Sequence, residues 1–386
     1  MRVAVLKESQ PGERRVALVP GALAPLIKAG VDIVVEAGAG AAAGYPDTDY
    51  TGKGATVAPD RAAALAGADV VAMVRPLGGE RPLEDLRPGQ VVVGFLDPLG
   101  RPENARRLAE AKLTAFALEL VPRTTRAQAM DVLSSAATIV GYQAVLLAAE
   151  ALPRMFPMMM TAGGTLAPAR VFVIGGGVAG LQAIATARKL GAVVQAYDIR
   201  PAVKEQVHSL GAKFVELPLE AGETQDAGGY ARAMDEAFYR KQRELMGRVV
   251  AGSDVVIATA AVPGKKAPVL VTREHVEAMP PGSVVMDVAA EQGGNCEVTV
   301  AGETISHHGV TVMGPVNLAA TVPYHASQMH GRNVASFLAL LVKDKALRID
   351  TADDIVRETL VSRDGAVVSP RVREALGLGA PAPAGA

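Results

Sequence analysis

The chain has 386 residues, 49% of them hydrophobic and 20% charged, and its formal net charge is −1 at pH 7. This length suits two domains that each bury a core, and a near-neutral chain without a basic patch argues against nucleic acid as a partner. A lone cysteine, Cys296, excludes a disulfide framework and a thiolate metal cluster, so we predict no metal site.

Residues 1–120 alternate short apolar runs with helical patterns. The runs are almost wholly apolar, as parallel strands buried on both faces are, and they predict a first doubly wound α/β domain. A glycine cluster at Gly38, Gly40 and Gly44 imitates a nucleotide-binding turn. Its spacing is one residue too long and no strand ending in an acid follows, so we predict no phosphate contact there.

A polar loop and a long apolar helix occupy residues 121–152. We predict the helix over residues 136–152, with Ser134 or Ser135 as its N-terminal cap. Glycine and polar residues interrupt its apolar run, which therefore falls short of the roughly 18 residues that cross a bilayer. The loop would lie at the mouth of a cleft between two domains, or else be a solvated capping turn. Its polar side chains are Arg123, Arg126, Gln128 and Asp131.

The most specific motif is a glycine-rich turn between an apolar run at residues 171–174 and a helical pattern. Gly175 permits the sharp turn, Gly177 lets the backbone approach a pyrophosphate, and Gly180 lets the helix lie close to the sheet. The phosphates would meet the free N–H groups at the start of the helix. The dinucleotide contacts predicted in this turn are Gly175, Gly177, Val178, Ala179 and Gly180.

A second apolar run ends on Asp198, eighteen residues after Gly180. A carboxylate at this position accepts hydrogen bonds from the adenosine ribose hydroxyls and repels a 2′-phosphate, so the motif predicts NAD(H) and not NADP(H). Ile199 and Arg200 complete the predicted contacts. Arg200 stands where an arginine could bind a 2′-phosphate, but beside Asp198 we expect it to flank the adenine or to be solvated.

The alternation of strand and helix continues to residue 288 and completes a dinucleotide-binding domain. Between Pro218 and Gly229 the sequence is rich in glycine and charge, which indicates a mobile flap with Tyr230 at its hinge, or an ordinary surface loop. We include Gly229 and Tyr230 among the predicted cofactor contacts.

Two later loops leave the carboxyl ends of strands predicted at residues 255–258 and 284–288, the edge where open α/β sheets bind ligands. They add Ala260 and Leu270 to the predicted cofactor contacts. We expect Asp287 to stabilise its loop. Contacts of the cofactor with Arg126, Asp287, Glu291 and Asn317 are left open.

Helices predicted at residues 326–343 and 352–360 have no strands of their own to cover and should return to the first domain. The fold class is therefore α/β, with two doubly wound Rossmann-like domains, a cleft between them and a discontinuous first domain. The predicted division is residues 1–135 with 326–386, and residues 136–325. The last residues, from 376 on, have no pattern and predict a disordered end.

Proton chemistry has no evident source in the sequence. None of the six histidines lies in a motif, and HExxH, CxxC and nucleophile-elbow patterns are all missing from the sequence. The chain thus has a predicted cofactor site but no acid or base for a small substrate.

Several long motifs together carry a specific resemblance: KESQPGERRVALVP, VPRTTRAQAMDVLSS, VFVIGGGVAGLQA, ATAAVPGKKAPVL and VVMDVAAEQGGNC. The chain resembles the superfamily of alanine dehydrogenases and proton-translocating NAD(P) transhydrogenases, and more closely the NAD(H)-binding subunits of the transhydrogenases. Arg15 matches the arginine that holds the substrate carboxylate in alanine dehydrogenases. Their substrate lysine and catalytic histidine fall at about Arg75 and Asp97, so both are replaced.

The resemblance implies direct hydride transfer between NADH and an NADP⁺ bound on a partner domain, a reaction that needs no general acid. It implies that Arg123, Asp131 and Ser134 hold the carboxamide and ribose of NAD(H), and that Gln128 contacts the second nucleotide. Tyr230 would close the flap over the cofactor.

The resemblance also implies partners: an NADP(H)-binding subunit, a membrane-spanning subunit that translocates protons, and a second copy of this chain in a homodimer. It places the chain in the cytoplasm, peripheral on the cytoplasmic face of the inner membrane. The alternatives are an amino-acid oxidoreductase of the alanine dehydrogenase type and a catalytically silent NAD(H) sensor.

Overall fold

The computed structural model describes residues 1–78, 83–218, 234–262 and 264–379. The chain divides into two compact units. The first unit consists of Met1–Ala136 with Ala320–Ala386, and the second of Ala137–Ala319.

The described strands are β1 Arg2–Val5, β2 Asp32–Glu36, β3 Thr56–Ala58, β4 Val70–Ala72, β5 Val91–Gly94, β6 Thr114–Ala117, β7 Met159–Thr161, β8 Gly164–Leu166, β9 Arg170–Ile174, β10 Val193–Tyr197, β11 Lys213–Phe214, β12 Val255–Ala258, β13 Val284–Asp287, β14 Thr304–His307, β15 Val310–Met313, β16 Val342–Lys343, β17 Ala346–Leu347, β18 Leu360–Arg363 and β19 Ala366–Val367. The described α-helices are α1 Ala24–Lys28, α2 Asp47–Thr51, α3 Arg61–Leu65, α4 Glu103–Glu110, α5 Val132–Ala151, α6 Val178–Lys189, α7 Val203–Ser209, α8 Glu236–Ala251, α9 Arg273–Glu277, α10 Pro323–Leu340, α11 Asp354–Thr359 and α12 Pro370–Ala375.

The first unit is built on a sheet in the order β19-β18-β6-β5-β4-β1-β2-β3. Strands β1 to β6 are parallel, and side chains on both faces of β1 are fully buried, which explains the apolar runs in the sequence. The sequence predicted only helices for the carboxyl-terminal part of the chain, and this prediction was wrong. Strands β18 and β19 extend the sheet in antiparallel pairing, and Leu360 opens a strand where a helix end was predicted.

The second unit has the sheet order β11-β10-β9-β12-β13-β15-β14, parallel except for β14. The chain runs outward from β9 through β10 to β11, then crosses back to β12 on the other side of β9. This reversal of strand order is a topological switch point, and ligands of open α/β sheets bind at the carboxyl ends of the strands beside it. The turn after β9 lies at that point.

Helix α5 begins earlier than the sequence suggested. It starts at Val132, and its cap is Asp131, whose Oδ1 accepts the backbone N–H of Ser134 at 2.8 Å, so neither Ser134 nor Ser135 is the cap. At 20 residues α5 is long and apolar enough to cross a membrane by length and composition, contrary to the expectation from the sequence. Ala144 and Val145 are fully buried, and 33% of the apolar 18-residue window of α5 is buried inside the protein.

Candidate functional site

The glycine turn after β9 is tightly built. Gly175 has a φ of 98° and donates its N–H to Tyr197 O at 2.8 Å, which joins the turn to β10. A Cβ at Gly180 would lie 1.8 Å from Gly175 O, so only glycine lets α6 approach the strand this closely. The roles predicted for these two glycines, turn formation and close helix packing, fit this geometry.

The start of α6 offers a place for an anion. Gly177 is its N-cap and makes no side-chain capping bond, and a Cβ at Gly177 would meet open space. Val178 and Ala179 are half-buried at the first helical positions. The first backbone N–H groups of this twelve-residue helix therefore lie beside open space, with the positive end of the helix dipole behind them, an arrangement that attracts anions.

Asp198 lies beside the turn, with its carboxylate 5% exposed. Its Oδ2 accepts the Gly176 N–H at 2.7 Å, and Arg200 donates from Nε to Oδ1 and from Nη2 to Oδ2, both at 2.9 Å. One interpretation of the sequence placed the Arg200 side chain in solvent. In the structure it is paired with Asp198 instead. Ile199, between them, is half-buried.

Residues outside the motif complete the turn, and the sequence did not point to them. Thr259 donates from Oγ1 to Ile174 O at 3.1 Å and to Gly175 O at 3.2 Å. A Cβ at Gly141 would lie 2.1 Å from Ala179 O, so α5 touches the backbone of the turn at this point. In the sequence Gly141 only interrupts an apolar run.

The loop after β12 is fastened by a buried amide. Asn295 accepts the Ala260 N–H at 3.0 Å and donates to Ala260 O and Pro268 O, both at 2.8 Å. Ala260 is half-buried, whereas Leu270 is 3% exposed and packs in the core of the unit. Asn295 carried no signal in the sequence because its partners are far from it in the chain.

Asp287 stabilises its loop, as expected. It is fully buried and accepts from Ala289 N at 3.1 Å, Cys296 N at 2.9 Å and Thr299 Oγ1 at 2.8 Å. The predicted contacts Gly229 and Tyr230, with the flap, lie outside the described residues. In the glycine cluster of the first unit, the Gly38 N–H already has a partner in the protein, because it donates to both oxygens of the Asp47 carboxylate.

The polar loop before α5 lines a cavity of about 260 Å³ in the first unit. The loop folds into a 3-10 helix, Thr125–Met130, where an irregular loop was predicted. The residues lining the cavity are Pro122, Arg123, Thr124, Thr125, Ala127, Gln128, Asp131 and Ser134.

Four of the five polar residues predicted for the loop and the helix start, Arg123, Gln128, Asp131 and Ser134, line the cavity, and they differ in exposure. Arg123 and Gln128 are exposed. Asp131 and Ser134 are half-buried and joined, because Ser134 donates from Oγ to Asp131 Oδ2 at 2.6 Å in addition to the capping bond. The pair forms one wall of the cavity at the start of α5, and the exposed side chains of Arg123 and Gln128 lie along the rest of the loop.

Arg126 does not line the cavity but holds the loop in place. It donates to both oxygens of Asp353 at 2.7 and 2.8 Å and also pairs with Asp354. The hydrogen bonds from Arg126 lower the pKa of Asp353 to about 2. Asn333 of α10 adds a hydrogen bond to Ala129 O at 2.8 Å. Contacts with α10 and with the start of α11 thus hold the loop in position.

A buried polar cluster surrounds Arg15 in the first unit. Arg15 is 4% exposed and donates to both oxygens of Glu13 at 2.8 Å, and its guanidinium lies 5.9 Å from the centre of the Phe95 ring. The His330 ring stacks on the same Phe95 ring, with 5.4 Å between the ring centres. Burial, reinforced by the charge of Arg15, lowers the pKa of His330 to about 3, so this imidazole is neutral at physiological pH.

The two positions that depart from alanine dehydrogenases lie in the same unit. Arg75 Nε is 3.5 Å from Glu13 Oε2, so it adds a second cation to the cluster. Asp97 is exposed, has a φ of 52° and lies 3.6 Å from Arg101 Nε. The position that the resemblance aligns with a catalytic histidine therefore carries an exposed carboxylate paired with Arg101.

Family matches cover both units. Residues 4–140 match the alanine dehydrogenase/PNT N-terminal domain, and residues 144–370 match the alanine dehydrogenase/PNT C-terminal domain. The chain belongs to the alanine dehydrogenase/PNT family. The family resemblance seen in the sequence is thereby confirmed.

Both branches of the alanine dehydrogenase/PNT family contain similar proteins. The first of the polypeptides that form NAD(P) transhydrogenase subunit alpha in Rhodospirillum rubrum is 46% identical over 377 residues, which cover 96% of this chain and 98% of that protein. The alanine dehydrogenase of Bacillus subtilis is 30% identical over 392 residues, covering 98% and 95%. The crystal structure of a transhydrogenase from Sinorhizobium meliloti matches with a TM-score of 0.86 and 46% identity, over 95% of this chain and 100% of that one. These matches confirm the predicted α/β fold with Rossmann-like domains.

Proposed function

We propose that this chain is the NAD(H)-binding subunit of a proton-translocating NAD(P)⁺ transhydrogenase of the Re/Si-specific type, active only with its partner subunits. The 46% identity to the Rhodospirillum rubrum subunit over nearly the full length of both proteins supports the assignment. Bound NADH would supply a hydride from C4 of its nicotinamide to C4 of an NADP⁺ held by the partner. The task of this chain is then to bind, orient and shield the donor.

One observation carries the proposal. Among the described residues that line the loop cavity, none is a histidine, lysine, cysteine or tyrosine, and the one carboxylate among them, Asp131, is held by Ser134. Reduction of a keto acid or imine needs a proton donor within hydrogen-bond reach of the substrate. Transfer between two nicotinamides needs none, so a cavity rich in hydrogen-bonding groups but poor in acids and bases suits it.

The second unit would bind the dinucleotide. Gly175, Gly177 and Gly180 shape the turn, and the N–H groups of Val178 and Ala179 would hold the pyrophosphate. Asp198 would accept from the adenosine ribose, with Ile199 and Arg200 beside the adenine and Ala260 and Leu270 along the loop after β12. Burying the phosphates at an uncapped helix start requires no cation from the chain.

The loop cavity would hold the reactive end. Arg123, Asp131 and Ser134 would bind the carboxamide and ribose of the nicotinamide, and Gln128, exposed at the rim, would contact the second nucleotide. Holding two reactants in an attack geometry contributes effective molarities of up to about 10⁵ M or more. The flap with Gly229 and Tyr230 would exclude water during transfer.

Three partners follow from this function: an NADP(H)-binding subunit, a membrane-spanning subunit and a second copy of this chain. The hairpin of β7 and β8 supports the homodimer, because it exposes Met158, Met159, Met160 and Leu166 in one short segment. The chain itself would be cytoplasmic and peripheral on the cytoplasmic face of the inner membrane. Size-exclusion chromatography with light scattering tests the dimer, and a monomeric mass at micromolar concentration would contradict it.

Reconstitution tests the proposed activity. The purified chain is mixed with the NADP(H)-binding subunit of a transhydrogenase, and reduction of an NAD⁺ analogue by NADPH is followed by the analogue's shifted absorbance. We expect turnover only with both components. In Gln128→Asn the rate should fall by about tenfold or more with little change in NADH affinity, because the shortened amide leaves the transition-state contact unmade. Asp131→Asn should lower both the rate and the affinity.

A second candidate is an amino-acid oxidoreductase of the alanine dehydrogenase type, favoured by the buried Arg15 and by 30% identity to the Bacillus subtilis enzyme. It requires NADH production from NAD⁺ and L-alanine at alkaline pH by this chain alone. We expect none, because Asp97 stands at the position of the catalytic histidine, and the neutral imidazole of His330, with a pKa of about 3, is too weak a base to accept the proton that alanine oxidation releases. A silent NAD(H) sensor would show no turnover even with the partner added.

A further inference from the structure

Three potential metal ligands meet on the surface of the second unit. Glu277 is the last residue of α9, His307 the last of β14, and His308 follows it. His307 Nε2 lies 3.0 Å from Glu277 Oε1, and His308 Nε2 lies 3.7 Å from the same oxygen. All three donor atoms fall within 4.8 Å of one another. Neither histidine had a motif in the sequence, because Glu277 is about thirty residues away.

The hairpin turn explains why two neighbouring histidines face one carboxylate. Successive side chains of a strand point to opposite faces of the sheet. Here His307 pairs with Val310, and the two residues between them, His308 and Gly309, have φ of 50° and 77°. Two positive φ values define a type I′ turn, which rotates His308 out of the strand alternation. Asparagine or glycine is the usual residue at the first central position of such a turn. A histidine at this position has an unfavourable backbone conformation.

Backbone contacts connect the elements that carry these ligands. Gly282 donates its N–H to Gly309 O at 2.7 Å, which ties the hairpin turn to the loop after α9. Helix α9 begins with a capping box between Thr272 and His275. His307 and Glu277 are 19% and 34% exposed, while His308 at 63% leaves one side of the cluster open to water. The elements that carry the three donors are thus joined by contacts of the fold itself.

We propose that Glu277, His307 and His308 bind Zn²⁺, with a water molecule in the fourth position. Two imidazoles and one carboxylate are a zinc donor set, and a tetrahedral ion with bonds of about 2.0–2.2 Å needs ligand atoms about 3.3–3.5 Å apart. The separations of the two histidine nitrogens from Glu277 Oε1, 3.0 and 3.7 Å, bracket that range, and the two nitrogens lie within 4.8 Å of each other. Mg²⁺ and Ca²⁺ prefer all-oxygen ligands, so they do not fit.

The site is separate from the proposed dinucleotide site. His308 lies at the amino end of β15 and Glu277 precedes the amino end of β13, whereas the glycine turn follows the carboxyl end of β9. These three strands are parallel members of one sheet. The proposed zinc site therefore lies at the amino ends of the strands, and the glycine turn lies at their carboxyl ends. The ion would fasten the β14–β15 hairpin to α9 and would not touch the nucleotide.

Isothermal titration of the metal-free full chain with ZnCl₂ tests the proposal. We expect one ion per chain, a higher thermal unfolding midpoint with zinc, and visible absorption of tetrahedral Co²⁺ when cobalt replaces it. Glu277→Gln and His308→Asn should each weaken binding by about tenfold or more, since a protein ligand is lost. Asparagine suits the type I′ turn, so His308→Asn should fold at least as stably as the parent chain.

His208→Ala is the matched control, because His208 is exposed on α7 outside the cluster, and it should bind zinc like the parent. NADH binding should be equal in all four proteins, which separates this site from the proposed function. Equal zinc affinity in Glu277→Gln, His308→Asn and the parent would overturn the proposal, as would titration without a saturable single site.

Discussion

Arg200 forms a bidentate ion pair with Asp198, the acid that would bind the adenosine ribose. The guanidinium therefore occupies both carboxylate oxygens while the Gly176 N–H holds one of them. Ribose hydroxyls must share these acceptors with Arg200 or displace it. The ion pair also neutralises a cation that would otherwise attract a 2′-phosphate, so in the proposed site the choice between NADH and NADPH would depend on both residues.

This relationship gives a prediction for cofactor choice. In Asp198→Ala we expect NADH affinity to fall by about 10- to 100-fold, the loss of one or two hydrogen bonds to a charged group. NADPH affinity should rise at the same time, because Arg200 is left without its carboxylate. Dissociation constants from nucleotide fluorescence measure both effects.

The double variant Asp198→Ala/Arg200→Ala is the control for this assignment. It should keep the loss of NADH affinity but lose the gain in NADPH affinity. An equal gain for NADPH in the double variant would mean that Arg200 does not face the 2′ position.

Gly141 gives a prediction in which local and tertiary effects have opposite signs. Replacing glycine by alanine inside a helix normally stabilises it by about 0.5–1 kcal/mol. At Gly141 the new Cβ would lie 2.1 Å from Ala179 O, so we expect Gly141→Ala to destabilise the protein by about 1–3 kcal/mol and to weaken NADH binding. Thermal unfolding and NADH titration measure these effects. Tyr142→Ala, at the exposed next position, should change stability little, and a stabilised Gly141→Ala would contradict the close contact.

The fold could be predicted where a strand is buried on both faces, because such a strand is an uninterrupted apolar run in the sequence. Strands such as β12 and β13 are buried on both faces, and their apolar runs gave their positions almost to the residue. The antiparallel additions were missed for the opposite reason. Strand β14 reads TISH and β18 reads LVSR, too short and too mixed to separate from loop or helix, and only their pairing with β15 and β6 makes them strands.

The candidate site divides in the same way. The glycines and Asp198 are close in sequence and have fixed spacing, so local reasoning found them. Thr259, Asn295 and Gly141 act on the same turn or its neighbouring loop through tertiary contacts with residues 27 or more positions away. No pattern along the chain records such contacts. The loop residues Arg123 and Gln128 were noted as polar side chains before α5, but their roles came from the family resemblance and not from spacing, so reconstitution tests those roles.

The anchoring of the loop by Arg126 gives a prediction about its motion. In Arg126→Gln the ion pairs with Asp353 and Asp354 are lost, while the hydrogen bond from Asn333 to Ala129 O remains. We expect amide hydrogen exchange of residues 125–130 to become several-fold faster. High salt should bring the parent chain toward the variant, because an exposed ion pair is screened. Arg107→Gln, on the exposed face of α4, is the control; unchanged exchange in Arg126→Gln would mean that Asn333 alone holds the loop.

Glu119 gives a prediction about pH. Its Oε1 accepts the backbone N–H groups of Leu96 and Asp97, and its Oε2 has no hydrogen-bond partner among the described residues. Burial raises the pKa of Glu119 from 4.5 to about 7. The folded chain therefore holds a proton that the unfolded chain releases between these values, and stability falls as pH rises through this window.

Replacing this carboxyl by an amide should remove its share of the pH dependence. A shift of this size corresponds to at most about 3 kcal/mol, so Glu119→Gln should exceed the parent in unfolding free energy at pH 8 by up to that amount and differ little at pH 5. Glu8, whose pKa burial also raises to about 7, should leave a residual slope in the variant. Denaturant unfolding at the two pH values measures the difference, with Glu110→Gln on the exposed side of α4 as the control. An equal effect of Glu119→Gln at pH 5 and pH 8 would show that the carboxyl is ionised in the folded chain throughout, and that its backbone donors compensate for its burial.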